Sequence, residues 1–265
     1  MRAAPSYGVR GRQAAAHSGI RQTARTYGKA RIGTYARKAG GAITVDSDAE
    51  RLASHLLSID PRVRSFRPQP FTVDLVGARL LLTRDEVREA RRLHSGRGPA
   101  MYTPDYATVQ ADGLQRAYEV KLQGYEGDEA YWAKIEQART IMGAYCYRLL
   151  SVVVPADVRH PVLVNAQLLQ AAQARIYAYR SEDLIERVEQ YCAAGPVLQR
   201  DLCADLGLPT GMVPVLLAAG VLQADLARQA ICADLVLSAA HGALDHLCLI
   251  DALVCDAPGA WGATP

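Results

Sequence analysis

The stretch YTPDYATVQADGLQRAYEVKL, residues 102–122, decides the fold because it predicts two strands joined by a tight turn. Ala111-Asp112-Gly113 is its only turn signal, and a three-residue loop there pairs residues whose numbers add up to 224. Asp105 then lies opposite Glu119, although like charges placed opposite each other destabilise a sheet. The register therefore predicts that a positive charge offsets this repulsion.

Side-chain alternation gathers the charged residues of the hairpin on one face. Glu119 and Lys121 point to the same side as Asp105, whereas Val120 points to the other side. Two carboxylates directed into one space suit a hard divalent cation with oxygen ligands, Mg²⁺ or Mn²⁺. Lysine is scarce, with four residues against 26 arginines, which favours a specific use for the compact ammonium of Lys121. The competing interpretation is a surface hairpin with scattered charges.

A capping-box pattern precedes the hairpin. Ser47 followed by Glu50 predicts the start of a helix that ends at Asp60-Pro61. Glu50 has two interpretations at this point, a helix cap and a third metal ligand, and one residue can fill both roles at a helix N-terminus.

The elements around the hairpin predict a mixed sheet with helices against its faces. Residues 63–83 predict strands broken at Pro68 and Pro70 and turned at Gly77. A second capping box, Thr83 with Glu86, opens a charged helix. Further elements follow the hairpin: a helix within residues 126–146 that turns Tyr131, Ile135, Ala138 and Met142 toward the sheet, and a buried strand at residues 147–154.

Residues beyond Pro155 predict a mostly helical, winged-helix-like region. Helical stretches at residues 163–176 and 181–194 end at a boundary, Gly195-Pro196. Helix-turn-helix order follows, with LQADL (222–226) and ICADLV (231–236) as wing strands. Because residues 210–220 hold no Arg or Lys, we expect protein contact or packing there rather than base recognition. Residues 237–265 predict an Ala-rich helix and a frayed tail.

Charge is distributed unevenly along the 265 residues. The first 40 hold nine basic residues and no acidic ones, which leaves 21 basic against 27 acidic residues in the remainder. Residues 1–42 lack apolar periodicity and predict a tail without fixed structure. Interleaved tyrosines favour phosphate contact with stacking over a merely solvated leader. The predicted DNA contacts are Arg21, Arg25, Lys29, Arg31, Arg37 and Lys38.

Several classes of protein are disfavoured. The sequence contains neither an apolar run of membrane-spanning length nor the apolar core of a secretory signal, which predicts a cytosolic protein. Six cysteines without a CxxC pair predict reduced, mostly buried thiols rather than a zinc ribbon or a redox motif. His241, His246 and Cys248 are interpreted as packing residues, because a five-residue separation puts the two histidines on different sides of a helix.

Four segments in order carry a family resemblance: Ser47-Asp48-Ala49-Glu50, residues 60–70, Tyr102-Thr103-Pro104-Asp105 and Tyr118-Glu119-Val120-Lys121. Pro104-Asp105 with Glu119-Val120-Lys121 resembles the PD-(D/E)xK nuclease superfamily. The ordered combination, over about residues 43–155, resembles the TnsA-type endonuclease subunit of heteromeric transposases. Some members of that family carry glutamine where Glu119 stands, which makes the assignment to a branch less specific than the assignment to a nuclease.

The resemblance implies a restriction-endonuclease-like fold and a metal-dependent DNA endonuclease. One or two Mg²⁺ ions would be bound by Glu50, Asp105, Glu119 and the Val120 carbonyl, with Lys121 acting on the attacking water. It also implies cleavage of the non-transferred strand at transposon ends, a DDE-type transposase as partner, and an AAA+ ATPase regulator bound through the C-terminal domain. The expected location is the prokaryotic cytoplasm, at the nucleoid when active.

The expected organisation is a tail (1–42), a nuclease domain (43–157), a helical, winged-helix-like domain (158–240) and a C-terminal tail (241–265). Two other functions stay open at this point. One is a standalone restriction-like or junction-resolving nuclease, which would bind DNA through its C-terminal domain. The other is an inactive nuclease fold that serves as a DNA-binding or assembly module.

Overall fold

The computed structural model describes residues 19–20, 32–96, 100–179 and 181–255. The α-helices of these residues are α1 (Asp48–Ile59), α2 (Arg84–Leu93), α3 (Glu129–Ala144), α4 (Pro161–Gln173), α5 (Ile176–Tyr179), α6 (Glu182–Cys192), α7 (Gln199–Leu206) and α8 (Val213–Ala218). The strands are β1 (Ile32–Ala36), β2 (Gly41–Val45), β3 (Val63–Pro68), β4 (Thr72–Asp74), β5 (Arg79–Leu81), β6 (Met101–Tyr102), β7 (Tyr106–Gln110), β8 (Gln115–Leu122), β9 (Tyr147–Val154), β10 (Val197–Leu198), β11 (Leu222–Gln223), β12 (Val236–Ala239) and β13 (Val254–Cys255). Short 3-10 helices occupy Arg37–Ala39, Thr210–Met212, Asp245–Leu247 and Leu249–Leu253.

A five-stranded mixed sheet with the order β13-β9-β8-β7-β3 forms the centre of the molecule. Strands β8 and β9 are parallel and the other neighbours are antiparallel. Parallel neighbours need a crossover connection, and α3 supplies it between β8 and β9. The prediction of an α/β fold with a mixed sheet flanked by helices is confirmed.

The two faces of this sheet are buried against different helices. Tyr118 and Val120 belong to one apolar cluster, which also contains buried residues of α1 and α4. Ala117 belongs to a second cluster, with Ile135 and Met142 of α3. Adjacent residues of β8 therefore point to opposite faces, and the predicted inward face of α3 is confirmed.

A smaller sheet with the order β5-β4-β6 lies beside α2. The turn between β4 and β5 contains Gly77, as predicted, and its N–H donates to Asp74 Oδ1 at 2.8 Å. A Cβ at Gly77 would lie 2.5 Å from Asp74 Oδ2, so this turn requires glycine. The turn brings β5 back beside β4. Strand β4 also pairs with β6, the strand that leads into the central hairpin.

The structure corrects the predicted start of the fold. The tail predicted for residues 1–42 is wrong from Ile32 onward, because β1 and β2 form an antiparallel hairpin. Ala36, Ile43 and Val45 are buried in the main core. The chain reverses at Gly40, whose φ of +84° is favourable for glycine. Gly33 and Gly41 within these strands weaken the strand propensity from which the hairpin could have been predicted.

The C-terminal region has the element order α6, β10, α7, α8, β11, β12, with a three-stranded sheet ordered β10-β12-β11. The first predicted wing strand is confirmed at Leu222–Gln223, whereas the second begins only at Val236. All six residues of α8 are buried, which confirms that packing is the role of this cation-free helix.

The end of the chain is also corrected. Residues 237–255 do not form an Ala-rich helix, because His241 and Gly242 take left-handed φ values of +48° and +89° that end a helix. The predicted tail is instead packed as far as Cys255, and β13 pairs with β9 at the edge of the central sheet. Arg62 joins this segment to the sheet, since its guanidinium contacts Asp60 at 2.6 Å and Asp251 at 2.7 Å.

The structure also gives the burial of the cysteines and the lengths of the helices. Only Cys192 and Cys203 of the six cysteines are buried, so the prediction of mostly buried thiols is wrong. No single helix of the described residues is long and apolar enough to cross a membrane. One pair, Gln199–Leu206 with Thr210–Ala218, passes that test only jointly, and its two parts are bent by 113°.

Candidate active site

The hairpin of β7 and β8 has the register that the sequence predicts. Its Cα partners run from Tyr106 with Tyr118 to Val109 with Gln115. The ladder ends one pair before Asp105, whose backbone N–H donates to the Tyr118 carbonyl at 2.9 Å. Asp105 therefore lies at the end of the hairpin beside Glu119, with its backbone shifted from the strictly opposite position.

The Asp105 carboxylate is held by the backbone of the neighbouring strand. Its Oδ2 accepts a hydrogen bond from the Val120 N–H at 2.8 Å. Burial raises the pKa of Asp105 well above its usual range, and the charges of Glu119 and Glu50 raise it further. The Val120 hydrogen bond and the Lys121 charge act in the opposite direction. Asp105 therefore carries an energetic cost when it is ionised without a cation.

Glu119 is 5% exposed, and its carboxylate is contacted by three side chains. Its Oε2 accepts from the Tyr102 hydroxyl at 2.8 Å, and its Oε1 accepts from the Tyr131 hydroxyl. Lys121 Nζ lies 3.1 Å from the same Oε1. The predicted placement of Glu119 and Lys121 on one face is confirmed, and these partners offset the cost of burying the carboxylate.

Glu50 reaches the same region from the N-terminus of α1. Its backbone N–H donates to the Oγ of Ser47, the N-cap residue, at 3.2 Å. Its carboxylate accepts from the Asp46 N–H and from Ser47 Oγ, both at 3.0 Å. The Glu50 carbonyl accepts from the Tyr106 hydroxyl at 2.9 Å, which ties the start of α1 to β7.

Burial is the main cause that raises the pKa of Glu50, and the negative charges of Asp46 and Glu119 contribute to the increase. Glu50 is therefore part of the helix cap and also lies within the field of the other carboxylates. The role of Glu50 in the helix cap is confirmed, and its role as a metal ligand stays a prediction.

The donor chemistry of this region fits a divalent cation. The charges of both Glu50 and Glu119 raise the pKa of Asp105, and carboxylate oxygens are ligands that such a cation prefers. As the side chains stand, no three His, Cys, Asp or Glu residues within the described ranges are close enough together to hold an ion. An ion at Glu119 would share this carboxylate with Tyr102, Tyr131 and Lys121.

Val120 has the predicted role of a core anchor. Its side chain is 8% exposed and packs in the main apolar cluster, on the face opposite Glu119. Its backbone N–H is the group that contacts Asp105. Binding of a metal by its carbonyl stays a prediction.

Tyr102 and Tyr131 are the site residues that sequence reasoning missed. Both donate to Glu119, although they belong to different elements, β6 and α3. Signals for both were present, since Tyr102 stands three residues before Asp105 and Tyr131 lies on the helix face predicted to meet the sheet. Finding their contacts required the position of α3 relative to β8.

The predicted DNA contacts of the N-terminal region are only partly described. Arg21, Arg25, Lys29 and Arg31 lie outside the described residues. Arg37 is exposed on the turn between β1 and β2. Lys38 is half-buried and donates to the Asp60 carbonyl, and burial lowers its pKa. Lys38 therefore serves an internal contact at the end of α1.

His241, His246 and Cys248 contact three different groups. His241 lies 3.3 Å from Glu189, His246 lies 2.9 Å from the Leu217 carbonyl, and Cys248 lies 3.8 Å from Asp60. Each contact ties a different part of the C-terminal segment to its surroundings, which agrees with the interpretation of these residues as packing residues.

A scan of the chain against models of protein families finds no match, and a search of curated proteins finds no significant one.

Proposed function

We propose that this protein is a metal-dependent DNA endonuclease, the subunit of a heteromeric cut-and-paste transposase that hydrolyses the non-transferred strand at transposon ends. The observation that carries the proposal is the cluster of Glu50, Asp105, Glu119 and Lys121 around the end of one hairpin. The charge of Glu119 raises the pKa of both Glu50 and Asp105, and Lys121 contacts Glu119. This cluster coincides with the segments that resemble TnsA-type nucleases.

We infer a restriction-endonuclease-like core for the central sheet and a winged-helix-like fold for residues 182–239. The parallel pair β8 and β9 with its α3 crossover supports the first inference. The order of α6, β10, α7, α8, β11 and β12 supports the second.

Mg²⁺ or Mn²⁺, as one or two ions, would be held by Glu50, Asp105, Glu119 and the Val120 carbonyl. The bound cation would stabilise the negative charge that develops on the phosphate and the leaving 3′ oxygen, and would lower the pKa of a bound water. Lys121 supplies a point charge beside Glu119 that orients and activates the attacking water. Tyr102 and Tyr131 hold the Glu119 carboxylate in its orientation.

The proposed partners are a DDE-type transposase subunit and an AAA+ ATPase regulator that contacts the C-terminal region. All six residues of α8 are buried, so this helix has no side chain to present to base edges, and the proposed protein contact would be made by exposed residues of the same region. Recognition of the transposon ends would then come from the assembled complex.

Cleavage of DNA that carries the transposon ends, with Mg²⁺ and the partner subunits, tests the proposal. Asp105→Ala and Lys121→Ala should abolish cutting, whereas Asp85→Ala, an exposed acid on α2, should leave it intact. Mn²⁺ should raise the melting temperature of the unmodified protein and not that of Asp105→Ala, because a ligand that binds only the folded state stabilises it. Continued cutting by both Asp105→Ala and Lys121→Ala would show that the site is elsewhere.

A further inference from the structure

The aromatic ring of Tyr131 contacts two lysines at the candidate active site. Lys121 Nζ is 4.1 Å from the ring centroid, and Lys134 Nζ is 4.6 Å from it. Both distances fall within the range of cation–π attraction. Because they share one centroid, the two ammonium groups are at most about 8.7 Å apart. The hydroxyl of the same tyrosine donates to Glu119, so one side chain contacts an anion and two cations.

The Tyr131 ring is held from several sides. The Tyr131 N–H donates at 2.8 Å to Asp128, the N-cap residue of α3. The indole ring of Trp132 meets the Tyr131 ring edge-on, with 5.8 Å between the centroids. A Cβ at Gly127 would lie 2.7 Å from Tyr131 Cδ1, so the absence of a side chain there allows the ring its position. The ring is therefore a fixed surface against which the two lysines lie.

The use of lysine at this ring stands out against the composition. The chain has four lysines and 26 arginines, yet both cations on the Tyr131 ring are lysines. An ammonium is a compact point charge that can approach a single oxygen, whereas a guanidinium presents a broad planar fork. Lys134 is three residues after Tyr131 on α3, a spacing that places the two side chains on the same helix face.

The two ammonium groups place positive charge beside the candidate active site. Glu119 Oε1 lies 3.1 Å from Lys121 Nζ. Phosphate oxygens are the anions that a DNA strand brings to a nuclease site, and lysine binds them as a point charge.

We propose, on the basis of the proposed function, that Lys134 is a substrate-binding residue for the backbone phosphates of the cleaved DNA strand, and that Tyr131 is the positioning residue that holds Lys134 and Lys121 as a pair. The ring keeps both ammonium groups on the same side of the hairpin as Glu119. The hydroxyl couples the pair to the carboxylate beside which the attacking water is activated.

The salt dependence of DNA binding tests the role of Lys134. The full chain is titrated with a fully paired duplex of arbitrary sequence at constant Mg²⁺, over about 50 to 200 mM KCl. Lys134→Met should reduce the slope of log K against log salt by about one, the effect of losing one phosphate contact. Lys134→Arg should retain the slope. An unchanged slope in Lys134→Met would overturn the inference.

Variants of the ring test the positioning role of Tyr131. Tyr131→Leu should lower both the salt slope and kcat, the latter about tenfold, because it removes the cation–π contacts. Tyr131→Phe keeps the ring and should keep the slope. Equal slopes for Tyr131→Leu and the unmodified protein would exclude a positioning role for the ring.

A glycine variant can displace the Tyr131 ring without changing Tyr131 itself, and a second glycine variant provides the control. Gly127→Ala should reduce the slope as Tyr131→Leu does, because its Cβ would displace the ring. Gly124→Ala is the matched control, since Gly124 also has a positive φ, +85°, but has open space around it. If both variants change the slope equally, strain of the loop and not the ring is responsible.

These outcomes separate the inference from the proposed function. A protein that cuts DNA but whose slope is insensitive to Lys134→Met retains the proposed function and loses the inference. DNA cleavage that survives Asp105→Ala overturns the proposed function. The salt dependence of DNA binding still tests the role of Lys134 in that case. If the unmodified protein does not bind the duplex, the inference is overturned, while cleavage by the complex with the partner subunits still tests the proposed function.

Discussion

Helices α1 and α2 begin with the same sequence pattern, a hydroxyl residue followed three positions later by glutamate, but the two glutamates have opposite electrostatic environments. Glu86 is exposed and accepts from the backbone N–H groups of Thr83 and Leu82, which lower its pKa. Glu50 is half-buried beside other carboxylates, and burial raises its pKa. A capping box therefore stabilises α2, whereas at α1 the same pattern also brings a carboxylate to a charged site.

The hydrogen bonds of the two helix caps differ as well. In α2 the box is complete, because Thr83 and Glu86 exchange hydrogen bonds through side chain and backbone. In α1 the Glu50 carboxylate accepts from Asp46 instead of the N-cap N–H. The difference shows that a local pattern specifies the helix start, while the surroundings specify what the glutamate does.

The largest expected effect is on DNA cleavage. Glu50→Gln should lower kcat by about a hundredfold or more, because it removes charge from the proposed metal site while retaining the shape of the side chain. Glu86→Gln, the matched change at α2, should leave cleavage unchanged. Single-turnover cleavage with Mg²⁺ measures both, and equal activities of the two variants would remove the functional distinction between the helices.

The second effect is on stability. Ser47→Ala and Thr83→Ala should each lower the free energy of unfolding by about 1 kcal/mol, because each removes an N-cap side chain. Ser47→Ala should also reduce cleavage, since Ser47 Oγ is bonded to the Glu50 carboxylate. Urea denaturation and cleavage assays on the same preparations test this, and a loss of cleavage in Thr83→Ala would contradict it.

The smallest effect is on the pH dependence of unfolding without divalent ions. Glu86 has a lowered pKa, so its charge stabilises the fold above the unfolded value, near 4.3, and this contribution disappears as pH falls through the folded value. Glu50 has a raised pKa, so its ionisation costs stability as pH rises through the folded value.

Glu86→Gln should therefore destabilise the protein at neutral pH and Glu50→Gln should stabilise it, with both differences shrinking at acidic pH. Urea denaturation in EDTA at several pH values measures these signs. If both variants change the free energy of unfolding in the same direction at neutral pH, the electrostatic environments of Glu50 and Glu86 are not opposite.

Much of the hairpin was accessible from the sequence, because turn chemistry and alternation are local. The turn at Ala111-Asp112-Gly113 specified the register, and period two specified the faces of Glu119 and Val120. The contacts of Glu119 with Tyr102 and Tyr131 were not accessible, because they depend on packing β6 and α3 against the central sheet.

The two ends of the fold were missed for a related reason. Strand β1 contains Gly33 and β13 has only two residues, so neither has a strand signal that distinguishes it from a tail. Strand β13 also depends on distant parts of the sequence, since it pairs with β9 and Arg62 contacts the preceding Asp251 across 189 positions. Propensity within a short window does not report such contacts.

The sequence by itself determined the helix starts, the hairpin register and the face on which Asp105, Glu119 and Lys121 meet, because hydrogen bonds and side-chain periodicity over a few residues specify them. Only the tertiary structure decided that Glu50 differs from Glu86 and that Tyr131 contacts both Lys121 and Lys134. Burial and charge act through space, so they depend on which elements pack together and not on the order of residues within any one of them.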